Sequence, residues 1–452
     1  MPHRTVAVSA LGTFLALVSY TAPLATLRQI SGDLGTGASG QSWILSSMSL
    51  GLTAALLTAG TLADEHGRRR VFVLGSVVLA VASVAGAASP GTLVFVLGRV
   101  VQGAGAGAMI ACSLALISHA IPSGPRRASA SGLWGAALAA GIAIGPLLAG
   151  IVPWRPFYLL VAVAAVAVAV AGRMVLDEST SGEPRPVDVP GMVLLAAGLS
   201  ALLAGLTEAR RLPIGPVPIV LLVVGVVLLA GFVVVQRRSS HPMVSLALFR
   251  NPGLVAASAG SLATGLGIIA VSSYLPALLQ RGQGYGALGA AALLLGWSGT
   301  SIVTALLTRR ISERVSGPVR LTAGLVVIAA GIVPLAWLTT DSGIALPLLS
   351  LIVAGLGTGV VNATLGREAV ASVPANRAGM GSGINNTARY LGAAIGVTVV
   401  SVLASPTGRE TPEQLLAGWD GAVVVCAVLT LACAAAVLAC VRRAPAAQPV
   451  AG

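Results

Sequence analysis

Apolar residues run for about twenty positions at a time along this chain, separated by short clusters that hold most of its charge. A helix needs roughly 20 such residues to cross the hydrocarbon core of a bilayer. On that ruler the pattern predicts fourteen spans. Six come first, over 5–27, 42–63, 71–89, 92–121, 128–152 and 155–176, and a polar stretch, DESTSGEPRPVDVP (177–190), follows. Spans 191–208 and 217–236 flank the turn EARRLPIGP, and the first of them is short and ends at Glu208. The loop RRSSHPMVSLALFRNP (237–252) leads to six others, over 253–280, 286–308, 318–340, 343–372, 377–403 and 418–441. The predicted fold class is an all-α polytopic membrane protein. No early apolar run ends in a small-residue cleavage site, so the first is read as a retained span.

Composition strengthens this reading. The 452 residues are 56% hydrophobic and only 9% charged, against about 25% charged in soluble domains. Such a chain cannot solvate its own surface in water, and a lipid bilayer is the partner that fits. The net charge of +13 raises the possibility of nucleic acid, but its placement points elsewhere. All 27 basic residues are arginine; with both termini on one side, eighteen lie on that side, six on the other and three within spans. A threefold bias is the positive-inside signature, so the termini are expected in the cytoplasm of a bacterial cell. Cys426, Cys433 and Cys440 recur every seven residues, roughly 10 Å apart on one helix face and beyond disulfide reach.

The outer blocks of six spans repeat each other. GAGAG at 103–107 returns as GLGTG at 355–359, RRASASG at 126–132 as RAGMGSG at 377–383, and Gly141 and Gly145 as Gly392 and Gly396. The expected organisation is therefore a six-helix bundle over 1–176, a linker with an inserted hairpin over 177–252, a second six-helix bundle over 253–441, and a cytoplasmic tail over 442–452. Two bundles in one orientation suit a transporter that rocks its halves about a central site.

Three motifs carry the chemistry. GTLADEHGRRR (60–70) crowds six ionisable residues into seven positions, from Asp64 to Arg70. Gly60 permits close helix contact, Gly67 a tight turn, and Asp64 can bond an arginine or a neighbouring helix N-terminus. A degenerate copy, RRISERVSG (309–317), puts Glu313 in the place of Asp64. GRVVQGAGAG (98–107) sets Arg99 inside a span, which is costly unless the charge is paired or hydrated. Span 128–152 reads GLWGAALAAGIAIGPLLAG, with Gly132, Gly141, Gly145, Pro146 and Gly150 forming a smooth, bendable face.

These motifs resemble those of the major facilitator superfamily. The loop resembles its signature G-x-x-x-D-R-x-G-R-R, with Gly60, Asp64, Gly67, Arg68 and Arg69 matching and Glu65 standing where a base is expected. Arg99 matches the R-x-x-x-G element, which in the family is tied to proton coupling. Span 128–152 is similar to the antiporter motif G-x8-G-x3-G-P-x2-G-G, with Ala149 replacing one glycine. HPMVSLALFRNP (241–252) and SGINNTARYLGAAIG (382–396) look like elements of the fourteen-span drug:proton antiporter branch. The resemblance implies a major facilitator fold of two six-helix bundles plus a two-helix insertion. It implies a conformational latch built on Gly60, Asp64, Gly67, Arg68, Arg69 and Glu313, and a cavity lined by Ser19, Tyr20, Gln102, Trp134, Asn362, Asn385 and Asn386.

The chain departs from that branch in span 1, where Ser19 falls at the position of a usual aspartate. Acids within spans are then few, with Glu208 and Glu368 the main candidates, and the proton carriers expected are Asp64, Asp33, Glu208 and Glu368. Arg99 and Arg389 would leave the cavity net positive, favouring anionic or neutral cargo. His3, His66, His119 and His241 are scattered without metal-ligand spacing, no phosphate loop follows the Gly-rich runs, and no nucleotide domain is present. Neither an enzyme, a cofactor nor a metal site is expected. The predicted function is export of small amphipathic drugs or antibiotics, coupled to inward protons, by a monomer. The alternatives are a dedicated exporter of an endogenous metabolite and a transport-inactive membrane sensor.

Overall fold

Fourteen helices long and apolar enough to cross a membrane run through the structure, a computed structural model that describes residues 2–122, 124–180, 187–210, 215–239, 241–308, 315–404 and 410–443. We number them α1 (Pro2–Thr21), α2 (Ala38–His66), α3 (Arg68–Ala87), α4 (Thr92–Ala120), α5 (Pro125–Ile151), α6 (Trp154–Val175), α7 (Val189–Glu208) and α8 (Pro216–Arg238). The rest are α9 (Pro252–Gly282), α10 (Gly289–Leu307), α11 (Gly317–Trp337), α12 (Ala345–Ala371), α13 (Ala375–Ala404) and α14 (Pro412–Arg443). No strand occurs among the described residues. The short segment expected at 191–208 is a 20-residue helix, long enough to span.

Proline sets where two spans depart from expectation. The first, expected over 5–27, ends as α1 at Thr21, because Pro23 has no N–H to offer the carbonyl four residues back. The chain resumes as a separate helix, Pro23–Asp33. Similarly, α11 closes in a 3-10 turn, Val333–Trp337, that contains Pro334. Within α9 a π-turn spans Gly265–Ile269 and lies against α13, where Gly265 packs on the carbonyl of Arg389.

Glycine lets these helices meet backbone to backbone, and it does so twice in the same way. Gly103 and Gly107 of α4 rest on the carbonyls of Met48 and Leu52 in α2, as Gly355 and Gly359 of α12 rest on those of Trp297 and Ser301 in α10. Gly105 sits on Gly75 of α3, and Gly357 on Gly324 of α11. Gly141 and Gly145 of α5 meet Phe14 and Val18 of α1, while Gly392 and Gly396 of α13 meet Leu262 and Leu266 of α9. A side chain at any of these points would collide with a neighbouring backbone. Gly103→Val should therefore force α4 off α2 and cost about 1–3 kcal/mol or more. Detergent-extracted Gly103→Val that elutes as a single species with the parent melting temperature would contradict this packing.

Two seams join the α1–α6 set to the α9–α14 set. At one, α13 lies on α2, with Gly60 on Gly379 and Gly383 on Leu56; at the other, Gly132 of α5 lies on Ala305 of α10. The α7–α8 hairpin is zipped by Gly198, Gly205 and Gly225 and covers the α2–α13 seam. There Leu195, Leu199 and Phe232 pack with Leu57, Met380 and Ile384. Outward faces are apolar, with Val163 and Val170 on α6 and Val220 and Val227 on α8 all exposed, a surface suited to the acyl chains of a bilayer.

Candidate functional site

Where the α2–α3 turn meets the start of α13, four charged side chains and a helix N-terminus converge. Asp64 is fully buried. Its Oδ1 accepts from Arg68 Nε at 3.0 Å and from the Gly379 N–H at 3.0 Å, and its Oδ2 accepts from the Met380 N–H at 2.9 Å. Arg68 also donates to the Ala375 carbonyl at 3.4 Å. The carboxylate thus caps orphan donors of the first turn of α13, where the helix dipole favours an anion. The Gly60–Gly379 contact lets the two backbones come close enough for this reach.

Glu65, the residue that breaks the family pattern, is also engaged across the seam. Its Oε1 lies 2.9 Å from Arg377 Nη1, with the side chains only 9% and 13% exposed. Sequence reasoning places Arg377 only at the head of the repeat RAGMGSG and among the arginines that set topology, and misses it as a partner for Glu65. It missed Glu178 too, whose carboxylate accepts from the Arg69 N–H at 3.1 Å and pairs with Arg69 and Arg70 at 3.6 and 3.5 Å. Gly67, at φ +115°, has a backbone conformation that L side chains rarely adopt, so any substitution there is strained, and a side chain would also displace the Glu178 carboxylate. Glu313 lies outside the described residues.

Arg99 is buried in α4, and no carboxylate is paired with it among the described residues. Its Nη1 donates to the Ser19 carbonyl at 2.7 Å and to Gln102 Oε1 at 3.0 Å, and its Nη2 to the Tyr20 carbonyl at 3.1 Å. The Ser19 carbonyl is the acceptor that Pro23 leaves without its helical donor. Arg99 therefore mends the break in α1. Gln102, expected to face the cavity, is occupied in turn by Ser83 at 2.8 Å. Trp134, also expected there, donates to Thr13 Oγ1 at 2.9 Å within a buried cluster that includes Ser113.

The expected proton carriers lie apart. Glu368 faces the N-terminus of α11 at Gly317 and pairs with Arg367 at 3.2 Å. Glu208, at the far end of α7, accepts from Trp43 Nε1, and Arg210 two residues on donates to Ser46 Oγ at 2.8 Å. Burial pushes the Arg210 guanidinium down to about 10, with Tyr20 acting in the opposite sense, so it stays charged at neutral pH. Asp420 in α14, an acid that sequence reasoning passed over, has one buried oxygen without a partner.

Midway along α13 a second polar group faces inward. Asn385, Asn386, Arg389 and Tyr390 are all buried. The Tyr390 ring meets Tyr20 of α1 edge-on, with centroids 5.8 Å apart, so the two sets of helices touch here as well. Ser49 donates to the Tyr20 hydroxyl at 3.1 Å. Ser19 is fully buried, with its hydroxyl donating to Met48 Sδ at 3.9 Å, and Asn362 of α12 packs against Gly135 of α5.

The family model described as Major Facilitator Superfamily matches residues 9–397. The multidrug resistance protein Stp of Mycobacterium tuberculosis is 30% identical over 407 residues, covering 89% of this chain and 76% of that one. A protein named probable actinorhodin transporter from Streptomyces coelicolor is 31% identical, over 83% of this chain and 67% of that one. The tetracenomycin C resistance and export protein of Streptomyces glaucescens is 28% identical, over 91% and 78%. Among solved structures, the human organic anion transporter MFSD10 superposes with a TM-score of 0.66 at 18% identity, covering 95% of this chain and 99% of that one. The proton:xylose symporter XylE gives 0.65 at 14% identity, over 94% of each chain. At such identities the two structures speak for the fold alone.

Proposed function

Because the chain belongs to the major facilitator superfamily, we propose that it exports small amphipathic drugs or antibiotics from a bacterial cell by alternating access, as a multi-pass protein of the cytoplasmic membrane. Relatives over most of its length are named for multidrug resistance and antibiotic export. The observation that carries the mechanism is the grip of Asp64 on the first turn of α13, a polar contact across the seam between two sets of helices. In this reading α1–α6 and α9–α14 are the rocking halves, residues 177–252 carry an inserted hairpin, and the chain works as a monomer. The arginine-rich end, with both termini, faces the cytoplasm. The clasp of Asp64, Arg68, Glu65 and Arg377 closes that end and opens it when it breaks. Inward proton movement supplies the energy. Of the acids expected to carry the proton, Asp64 and Glu368 sit at the clasp end, whereas Glu208 sits at the other.

A second reading, self-protective export of a metabolite made by the same cell, draws on the relatives named for actinorhodin transport and tetracenomycin C export. The test is a susceptibility panel in a bacterial host stripped of its own exporters, spanning cationic, neutral and anionic compounds, with and without an uncoupler. Arg99→Ala should lower the efflux rate at least tenfold, because it strips the broken turn of α1 of its donors at about 1–3 kcal/mol for the stranded carbonyls. Protection that survives the uncoupler unchanged would remove the proton from the mechanism. No protection by a well-expressed protein against any compound would favour the metabolite reading.

A further inference from the structure

Arg389 is 1% exposed, and none of its three guanidinium nitrogens has a hydrogen-bond partner among the described residues. Four residues before it, on the same helix face, both amide atoms of the fully buried Asn385 are equally without partners. Nine such atoms fall within residues 382–390. A natural fold does not strand so many buried polar atoms without something to meet them. An unpaired cation inside a membrane protein is costly, and its default explanation is function. Arg99 offers the contrast, since both its Nη atoms are taken by carbonyls and Gln102, so it has little left for a ligand.

We propose that Arg389 and Asn385 form the substrate-recognition subsite, and that it takes the ionised acidic group, a carboxylate or an acidic phenol, of an amphipathic ring compound. The planar guanidinium presents two parallel donors to such a group, and the Asn385 amide adds a third. No acidic side chain is paired with Arg389 among the described residues, so the ligand itself supplies the counter-charge. Tyr390 and Tyr20, in edge contact beside the site, offer aromatic surface to the ring system. Asn386, next in the chain to Asn385 and with an unpartnered Oδ1, offers an acceptor to a hydroxyl group on it. This inference rests on the export reading and names the class of cargo for it.

The experiment uses the full chain in lipid nanodiscs and two dyes that share one ring frame, anionic fluorescein and cationic rhodamine 6G. Equilibrium binding is read by fluorescence anisotropy, and folding by melting temperature. Fluorescein should bind at least tenfold more tightly than rhodamine 6G. Arg389→Gln should remove that preference without lowering the melting temperature, since it deletes a charge that no acidic side chain among the described residues neutralises. Asn385→Asp should also abolish fluorescein binding, by supplying the counter-charge from within, and should raise the melting temperature. Equal binding of both dyes, or loss of both together with a fall in melting temperature in Arg389→Gln, would overturn the proposal. Efflux from cells separates the two claims. Fluorescein export indifferent to Arg389→Gln would sink the subsite and keep the exporter, whereas selective fluorescein binding with no export of either dye would do the reverse.

Discussion

Asp64→Ala should abolish export and destabilise the arginine-rich end of the protein. The substitution leaves Arg68, 2% exposed, without its carboxylate, and it strands the Gly379 and Met380 N–H groups in the first turn of α13. Breaking a buried pair on one side costs about 3–5 kcal/mol, and the freed donors add to that. The expected result is an efflux rate at background and a melting temperature several degrees below the parent. A cysteine placed at exposed Ala375, beside the α13 start, should also label faster than in the parent. Asp64→Asn keeps an acceptor for one N–H but not the charge, so its loss of stability should be smaller while export remains severely impaired. If Asp64→Ala exports at the parent rate, the clasp has no part in the transport cycle.

Reversing one member of the Glu65–Arg377 pair should cripple export, and reversing both should restore it. Glu65→Arg sets two guanidinium groups against each other in a setting about nine-tenths buried. Arg377→Glu does the same with two carboxylates. A charge-assisted bond of this kind contributes about 1.5–3 kcal/mol, so each single reversal should lower the efflux rate roughly ten- to a hundredfold if the closed clasp is part of the cycle. The double reversal should recover most of that loss. A double variant as weak as the sum of its parts would mean that Glu65 and Arg377 act separately, and the double-mutant cycle measures the difference directly.

Local pattern carried most of the fold. Hydrophobic run length located all fourteen spans, because a bilayer imposes one length on every helix that crosses it. The glycine order at 103–107 and 355–359 was legible too, since a backbone carbonyl at van der Waals distance tolerates no side chain. The site was legible only in part. Asp64 could be foreseen as a partner for an arginine or a helix end, but nothing near it in sequence points to Arg377, more than 300 positions away. The motif itself made Glu65 look like a defect, whereas its partner lies on the far side of the seam. Gln102 and Trp134 illustrate a different limit. A polar residue in an apolar span reads the same whether a neighbouring helix satisfies it or a cavity exposes it, and here Ser83 and Thr13 satisfy them. The break in α1 was written in Pro23, yet only the structure reveals that Arg99 repairs it.

The two seams differ in what lies outside them. The α7–α8 hairpin lies over the line where α2 meets α13, sealed to it by Leu199, Phe232 and Met380 and by the bond from Thr398 to the Leu206 carbonyl. Along α5 and α10, Leu133, Val303 and Leu306 face outward, uncovered by the hairpin. A compound dissolved among the acyl chains thus meets a wall on one side and a bare junction on the other. A lateral doorway from the membrane would then be single-sided, because the extra pair of helices gives the protein one covered and one bare junction where its two sets of six helices otherwise pack on repeated glycines.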